Sequence, residues 1–132
     1  MFLSFDSKGI PIMTSTADVA ADFAALCKAG ELDAAGAKYW ADDVVSIEAG
    51  GAPGMDPVAR GIDAVRAKGE WWYGAHDVHS VTTTGPFVNG DQFILRFAMD
   101  ITEKASGNRM QMEEEAVYTV KDGKVVEERF FY

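Results

Sequence analysis

A chain of 132 residues, 48% hydrophobic and 25% charged, has the size and composition of one ordinary globular domain whose core needs no staples. Its formal charge of −9 argues against nucleic-acid phosphates or an anionic membrane surface as partners, since both call for clustered Lys and Arg. No apolar run approaches the length of a membrane span, and the single cysteine, Cys27, cannot close an internal disulfide, so a reducing cytoplasm is the expected location.

The opening MFLSFDSKGIPIM is broken by Asp6 and Lys8 and is followed by no small-residue cleavage site. Residues 1–13 therefore read as an irregular arm rather than a signal peptide, with the folded domain spanning 14–132. A first helix is predicted over 16–29, with Thr14, Ser15 or Thr16 as caps and Gly30 as its stop. Val19, Phe23, Leu26 and Cys27 form its apolar stripe, where Cys27 reads as a packed thiol. A short helix over 32–40 carries Leu32, Ala35, Tyr39 and Trp40, and VVSIE at 44–48 reads as a strand. AGGAPGMDP at 49–57 is a Gly/Pro loop, and a third helix is predicted over 61–73. Four strands follow, at 76–84, 91–103, 109–120 and 124–131, with turn signals at Asn89-Gly90, Ser106-Gly107-Asn108 and Asp122-Gly123. Helices first and an antiparallel meander afterwards is an α+β order, with helices packed on one sheet face.

The strands contain one anomaly, the run Glu113-Glu114-Glu115 inside RMQMEEEAVY. Neighbouring side chains in a strand point to opposite faces, so Glu114 must face away from the other two. Phe93, Leu95, Phe97, Met99 and Ile101 alternate cleanly onto one face. A hairpin centred on Ser106-Gly107 pairs Met99 with Glu114 and Leu95 with Tyr118, which makes the apolar faces coincide. For the last hairpin, a three-residue Lys121-Asp122-Gly123 loop gives the better facing. It sets Glu114 against Phe130, Met112 against Tyr132 and Glu115 against Arg129, and brings Glu128 to the inner face opposite Ala116. A carboxylate on such an apolar row has its pKa raised, which suits acid–base chemistry near neutral pH. The alternative is a structural core acid hydrogen-bonded to a buried Tyr or Trp. Isolated core acids are rare and costly, which favours a lining role.

The order of AGELDAA, YWADDVVSIE, ARGIDAVRA, WWYGAHDVHS, the three long strands and the ending YTVKDGKVVEERFFY resembles the SnoaL-like branch of the nuclear-transport-factor-2-like superfamily over about residues 14–132. The resemblance implies an α+β cone, a curved antiparallel or mixed sheet wrapped around three helices from the first half of the chain. It also implies an internal pocket and, in many relatives, a homodimer. Members include ketosteroid isomerases, polyketide cyclases, dehydratases and epoxide hydrolases, beside non-catalytic binding and association domains, so the fold does not choose a function. WADDVVSIE is similar to the isomerase stretch that ends in its carboxylate base, and Glu48 falls on that position. Phe23 and Ala116 stand where the isomerase's oxyanion-stabilising tyrosine and protonated aspartate would be. Against the epoxide-hydrolase set, Asp100 matches one acid, but Ala98 replaces the arginine and Phe130 the second acid.

Other candidates come from the residues themselves. His76 and His79 are the only histidines; if the strand begins before His76 they lie on opposite faces and one is expected to face the cavity, the alternative for each being a surface or helix-capping histidine. No compact metal motif is present, and GGAPG lacks the Lys of a phosphate loop. Trp71, Trp72 and Tyr73 cannot all be buried by one helix, so one Trp is assigned to the core and one to the pocket wall. Met110 and Met112 are expected in core or dimer contacts. The resulting expectation is a cofactor-free, metal-free acid–base enzyme of isomerase, cyclase or dehydratase type, acting on a small apolar carbonyl compound. Glu48 is its base, and Glu114 with His79 (or His76) its acid or orienting partner. Trp71, Trp72, Met99, Met112, Tyr118, Glu128 and Phe130 are the expected pocket lining. The competing expectation is a non-catalytic ligand-binding or dimerisation module.

Overall fold

The computed structural model of the chain describes residues 4–5, 7–9, 11–12, 15–51 and 53–132. Thr14, one of the three expected caps, lies outside them. Part of the arm expected to be irregular forms two short paired strands, β1 (Ser4–Phe5) and β2 (Pro11–Ile12). Helix α1 (Thr16–Lys28) is capped by Ser15, whose hydroxyl accepts from the Asp18 N–H at 3.0 Å. Helix α2 (Leu32–Tyr39) ends one residue earlier than its pattern suggested, because Trp40 is extended and begins strand β3 (Trp40–Ile47). A short strand absent from the sequence reading, β4 (Val58–Arg60), pairs antiparallel with β3. Helix α3 (Ile62–Ala75) then leads into four long strands: β5 (His76–Asn89), β6 (Gln92–Glu103), β7 (Arg109–Lys121) and β8 (Lys124–Phe131).

The main sheet has the order β4-β3-β8-β7-β6-β5, antiparallel throughout except for the parallel pair of β3 and β8. Among the described residues, three helices beside this mixed, curved and unclosed sheet make the expected α+β cone. The core lies between the helices and the inner face. Phe23 of α1 packs edge-on to Phe93, and Phe93 stacks on Tyr118 with centroids 4.8 Å apart. Phe93, Leu95 and Ile101 are sealed from solvent, as the alternation along β6 requires.

Both hairpin registers differ from the sequence reading by an even number of residues. Between β6 and β7, Met99 pairs with Met112, Phe97 with Glu114 and Phe93 with Tyr118. The same five residues, 104–108, connect the strands, but the hairpin is centred one residue earlier than its turn signal suggested, with Gly107 at a positive φ. The β7–β8 turn is the two-residue Asp122-Gly123 turn, with both residues at positive φ, not the three-residue loop. The mixing of polar and apolar residues that counted against that turn is removed by a bulge. Thr119 pairs with Glu127 and Val120 with Val125, which leaves Val126 as the extra residue. Beyond the bulge, Glu128 faces Tyr118 and Phe130 faces Ala116. On the outer face Glu115 pairs with Phe131, and its ion partner is Arg96 at 3.5 Å rather than Arg129.

Candidate functional site

An even shift changes partners but keeps faces, so Glu114 lies on the inner face. Its side chain makes no hydrogen bond or ion pair among the described residues. Burial, and secondarily the nearby Glu48 carboxylate, push its pKa up to about 7, against the opposing pull of Lys68. It is a carboxyl group whose proton is exchangeable at neutral pH and whose oxygens are unengaged.

Around it runs a connected polar chain. Glu48, immediately after β3, lies 2.5 Å from Lys68 Nζ and accepts from the Tyr132 hydroxyl at 3.1 Å. Lys68, on α3, is also 2.5 Å from Ser46 Oγ, with its ammonium 5.0 Å from the Phe130 ring centroid. The Ser46 hydroxyl donates to Glu128 at 2.8 Å, and the Trp40 indole N–H donates to the other oxygen of Glu128 at 2.7 Å. The parallel pairing of Ser46 with Glu128 in β3 and β8 sets the first of these bonds directly. Burial raises the pKa of Glu128, and the Ser46 and Trp40 hydrogen bonds offset part of that rise.

Sequence reasoning missed Lys68, Ser46, Trp40 and Tyr132. A signal for Lys68 was present: it stands three residues after buried Val65 and four before half-buried Trp72, on the inner stripe of α3. Ser46 shares the inner face of β3 with buried Val44, again by alternation. Tyr73 joins the group electrostatically. Its pKa is raised by burial first, then by Asp33, Cys27 and Glu114.

The expected residues are only partly brought together. Glu48, Glu114, Glu128 and Phe130 converge, and Tyr118 faces Glu128 from the adjacent strand. His79 does not join them, which corrects the preference for it. It is the extra residue of a bulge between Val78 and Ser80, and its Nε2 lies 2.7 Å from Thr102 Oγ1 on the exposed outer face. His76 is the half-buried histidine. It caps the end of α3 through Nδ1, 2.8 Å from the Trp72 carbonyl oxygen, and stacks on the Trp72 ring. It pairs with Glu103, whereas Glu114 lies in the row of Phe97, roughly 20 Å away along the strand. Trp71 is 53% exposed, while Trp72 packs against the core. Met99 and Met112 face each other across β6 and β7. Cys27 is buried with its thiol pushed up to about 12 by desolvation first and Glu128 second, as suits a packing thiol. Two open depressions of about 420 and 220 Å³ lie on the outer face, both beside Asp100 and Gln111 and the larger also beside Arg109, and contain none of the inner acids. Acid–base chemistry belongs with the desolvated carboxylates, so the inner side is the candidate site.

Gly36 supports this network from α2. A Cβ there would come within 2.5 Å of the Trp40 ring. Gly36→Ala should gain roughly 1 kcal/mol in helix propensity, yet overpacking against Trp40 costs about 1–3 kcal/mol and pushes the indole off Glu128. Urea denaturation with tryptophan fluorescence should show net destabilisation; an unchanged midpoint would mean that the ring moves freely.

The model of the SnoaL-like domain family matches residues 13–132. The chain belongs to the SnoaL-like family. A crystal structure from Mesorhizobium loti, provisionally named a SnoaL-like polyketide cyclase, is 48% identical and superposes with a TM-score of 0.85, covering 89% of this chain and 99% of that one. A provisionally named isomerase from Bacillus subtilis shares the fold at 17% identity, with a TM-score of 0.69 over 88% of this chain and 87% of its own. A provisionally named SnoaL-like polyketide cyclase from Jannaschia is 14% identical, with a TM-score of 0.63 and coverage of 90% and 86%. No curated protein matches the chain. Among the described residues of this SnoaL-like protein, no helix is long and apolar enough to cross a membrane.

Proposed function

We propose that this SnoaL-like protein binds a small, largely apolar carbonyl compound on the inner side of its cone and moves a proton on it, as an isomerase or cyclase does. Glu114 is the proton-transfer group. The observation that carries this reading is its unengaged carboxylate, desolvated beside Glu48, Lys68 and Glu128 and titrating near pH 7. Glu48, the base position by resemblance, is occupied by Lys68 and Tyr132 and serves instead to hold the lysine. The names of the Mesorhizobium and Jannaschia relatives support a cyclase-type reaction, and the inner aromatic residues Phe130 and Trp72 suit a cyclic ligand.

A second reading has its own support. Glu48 and Glu128 both have standing partners, as they would in a module that binds without turnover. Hydrogen–deuterium exchange into a panel of enolisable cyclic ketones and 1,3-diketones, followed by NMR, separates the two. Acceleration by the parent protein, reduced at least about a hundredfold in Glu114→Gln, is the expected result. Binding of the same compounds with no accelerated exchange would support the module and sink the catalytic reading.

A further inference from the structure

The proposed proton transfer leaves a problem that Glu114 cannot solve alone. When a C–H bond beside a carbonyl breaks, its electron pair forms the new C=C bond and the carbonyl π electrons move onto oxygen, which becomes an enolate. That charge needs a donor aimed at it from a site poor in water. The two positions that supply such donors in the isomerase pattern are apolar here: Phe23 and Ala116 are both buried in the core. A different residue must carry the charge.

Lys68 meets the requirements. It reaches the inner side from the middle of α3, within electrostatic range of both Glu114 and Glu128. An ammonium group has three N–H donors. Two are directed at Glu48 Oε1 and Ser46 Oγ, each at 2.5 Å, and these bonds fix its position. No other hydrogen-bond acceptor of the described residues is engaged by it, so one donor remains for a ligand. The side chain is 26% exposed, so the group is held but not sealed off. The Phe130 ring at 5.0 Å closes one side of the ammonium with an apolar surface. A cation pinned by two fixed acceptors costs little reorganisation when charge develops beside it.

We propose that Lys68 is a further catalytic residue, donating a hydrogen bond to the substrate's carbonyl oxygen and stabilising the enolate formed as Glu114 takes the neighbouring proton. The proton moves from carbon to a Glu114 oxygen, the electrons come to rest on the Lys68-bound oxygen, and no oxidant or metal enters the balance. The enolate collapses by taking the proton back from Glu114 at another carbon, or by attacking a second carbonyl carbon of the same molecule to close a ring, whereupon that carbonyl's π electrons move onto its oxygen and the resulting alkoxide takes the proton from Glu114. This rests on the reading of Glu114 as proton-transfer group. It narrows the substrate class to compounds whose acidic C–H and carbonyl oxygen can span Glu114 and Lys68 together, as cyclic ketones and 1,3-dicarbonyls do.

The test uses 4-nitrophenol, whose oxyanion is visible by absorbance and whose ionisation requires nothing of Glu114. Bound to the parent protein, it should ionise at a pH at least about one unit lower than when bound to Lys68→Met, a tenfold change in acidity. Lys68→Arg should restore part of the shift. Because Lys68→Met leaves Glu48 without its cation, the double variant Lys68→Met/Glu48→Gln provides the same comparison with both charges removed. Equal ionisation of the bound phenol in the parent and in these variants overturns the assignment, as does failure of the parent protein to bind it. If the shift is found while ketone exchange is absent, the oxyanion role of Lys68 stands and the proton-transfer role of Glu114 falls.

Discussion

Glu114→Gln should be more stable than the parent protein above pH 7 by about 3 kcal/mol, and nearly equal to it at pH 4. The direction follows from where the proton resides. In the unfolded chain Glu114 titrates at its ordinary value of 4.5; in the fold, burial and the Glu48 carboxylate raise it to about 7. Between these values the folded state binds more protons than the unfolded state, so stability falls as pH rises. The loss is complete above about pH 7, where the folded protein must hold an ionised carboxylate without a partner. Glutamine has the shape of the protonated acid and does not ionise, so it should retain the low-pH stability throughout. Urea unfolding at pH 4, 6 and 8 checks this: the two proteins should diverge as pH rises. Parallel curves would show that Glu114 is solvated, and the proposed site would lose its central residue.

A side chain that destabilises the fold at neutral pH, where an isosteric amide would not, has a use other than packing. The neighbouring carboxylates do not share this condition. Glu48 is matched by Lys68, and Glu128 by Ser46 and Trp40. Of the inner acids, Glu114 is the one left with its oxygens unengaged.

The inward direction of Glu114 was legible because side-chain facing has a period of two. Both hairpins are offset from the sequence reading, yet by an even number of residues, and parity survives such a slip. Partners do not survive it, which is why Glu114 meets Phe97 rather than Met99, and Glu115 meets Arg96 rather than Arg129. Bulges were the hidden variable. One at Val126 lets the two-residue turn keep an apolar inner face, and one at His79 lets Val78 and Val81 both face inward with that histidine outside; neither leaves a compositional mark. Lys68 was obscured for another reason. A lysine on an amphipathic helix is ordinarily read as solvated, and the place of Lys68 on the inner stripe of α3 gains its meaning from the contacts with Glu48 and Ser46, contributed by the distant strand β3 and the turn after it.

Glu128→Ala should cost about 2–4 kcal/mol, while Glu128→Gln should stay within about 1 kcal/mol of the parent. Alanine removes the acceptor for both the Trp40 indole N–H and the Ser46 hydroxyl, in a place where Ser46 is sealed from solvent. Each orphaned buried donor costs roughly 1–3 kcal/mol, and the vacated volume adds a cavity term. Opposing these is the relief of a carboxylate whose burial is already unfavourable, since desolvation dominates its raised pKa. Glutamine keeps an oxygen for Trp40, and its amide can donate to Ser46, whose hydroxyl rotates to suit. Thermal and urea unfolding of the two variants therefore read out whether Glu128 matters as a hydrogen-bond acceptor or as a charge. If Gln is as damaging as Ala, the negative charge itself is required and Glu128 acts with Lys68 in the site. If Gln is tolerated in stability and in ketone exchange, Glu128 is the anchor that holds Ser46, and through it Lys68, in place. The two neutral donors already satisfying its oxygens favour the second outcome.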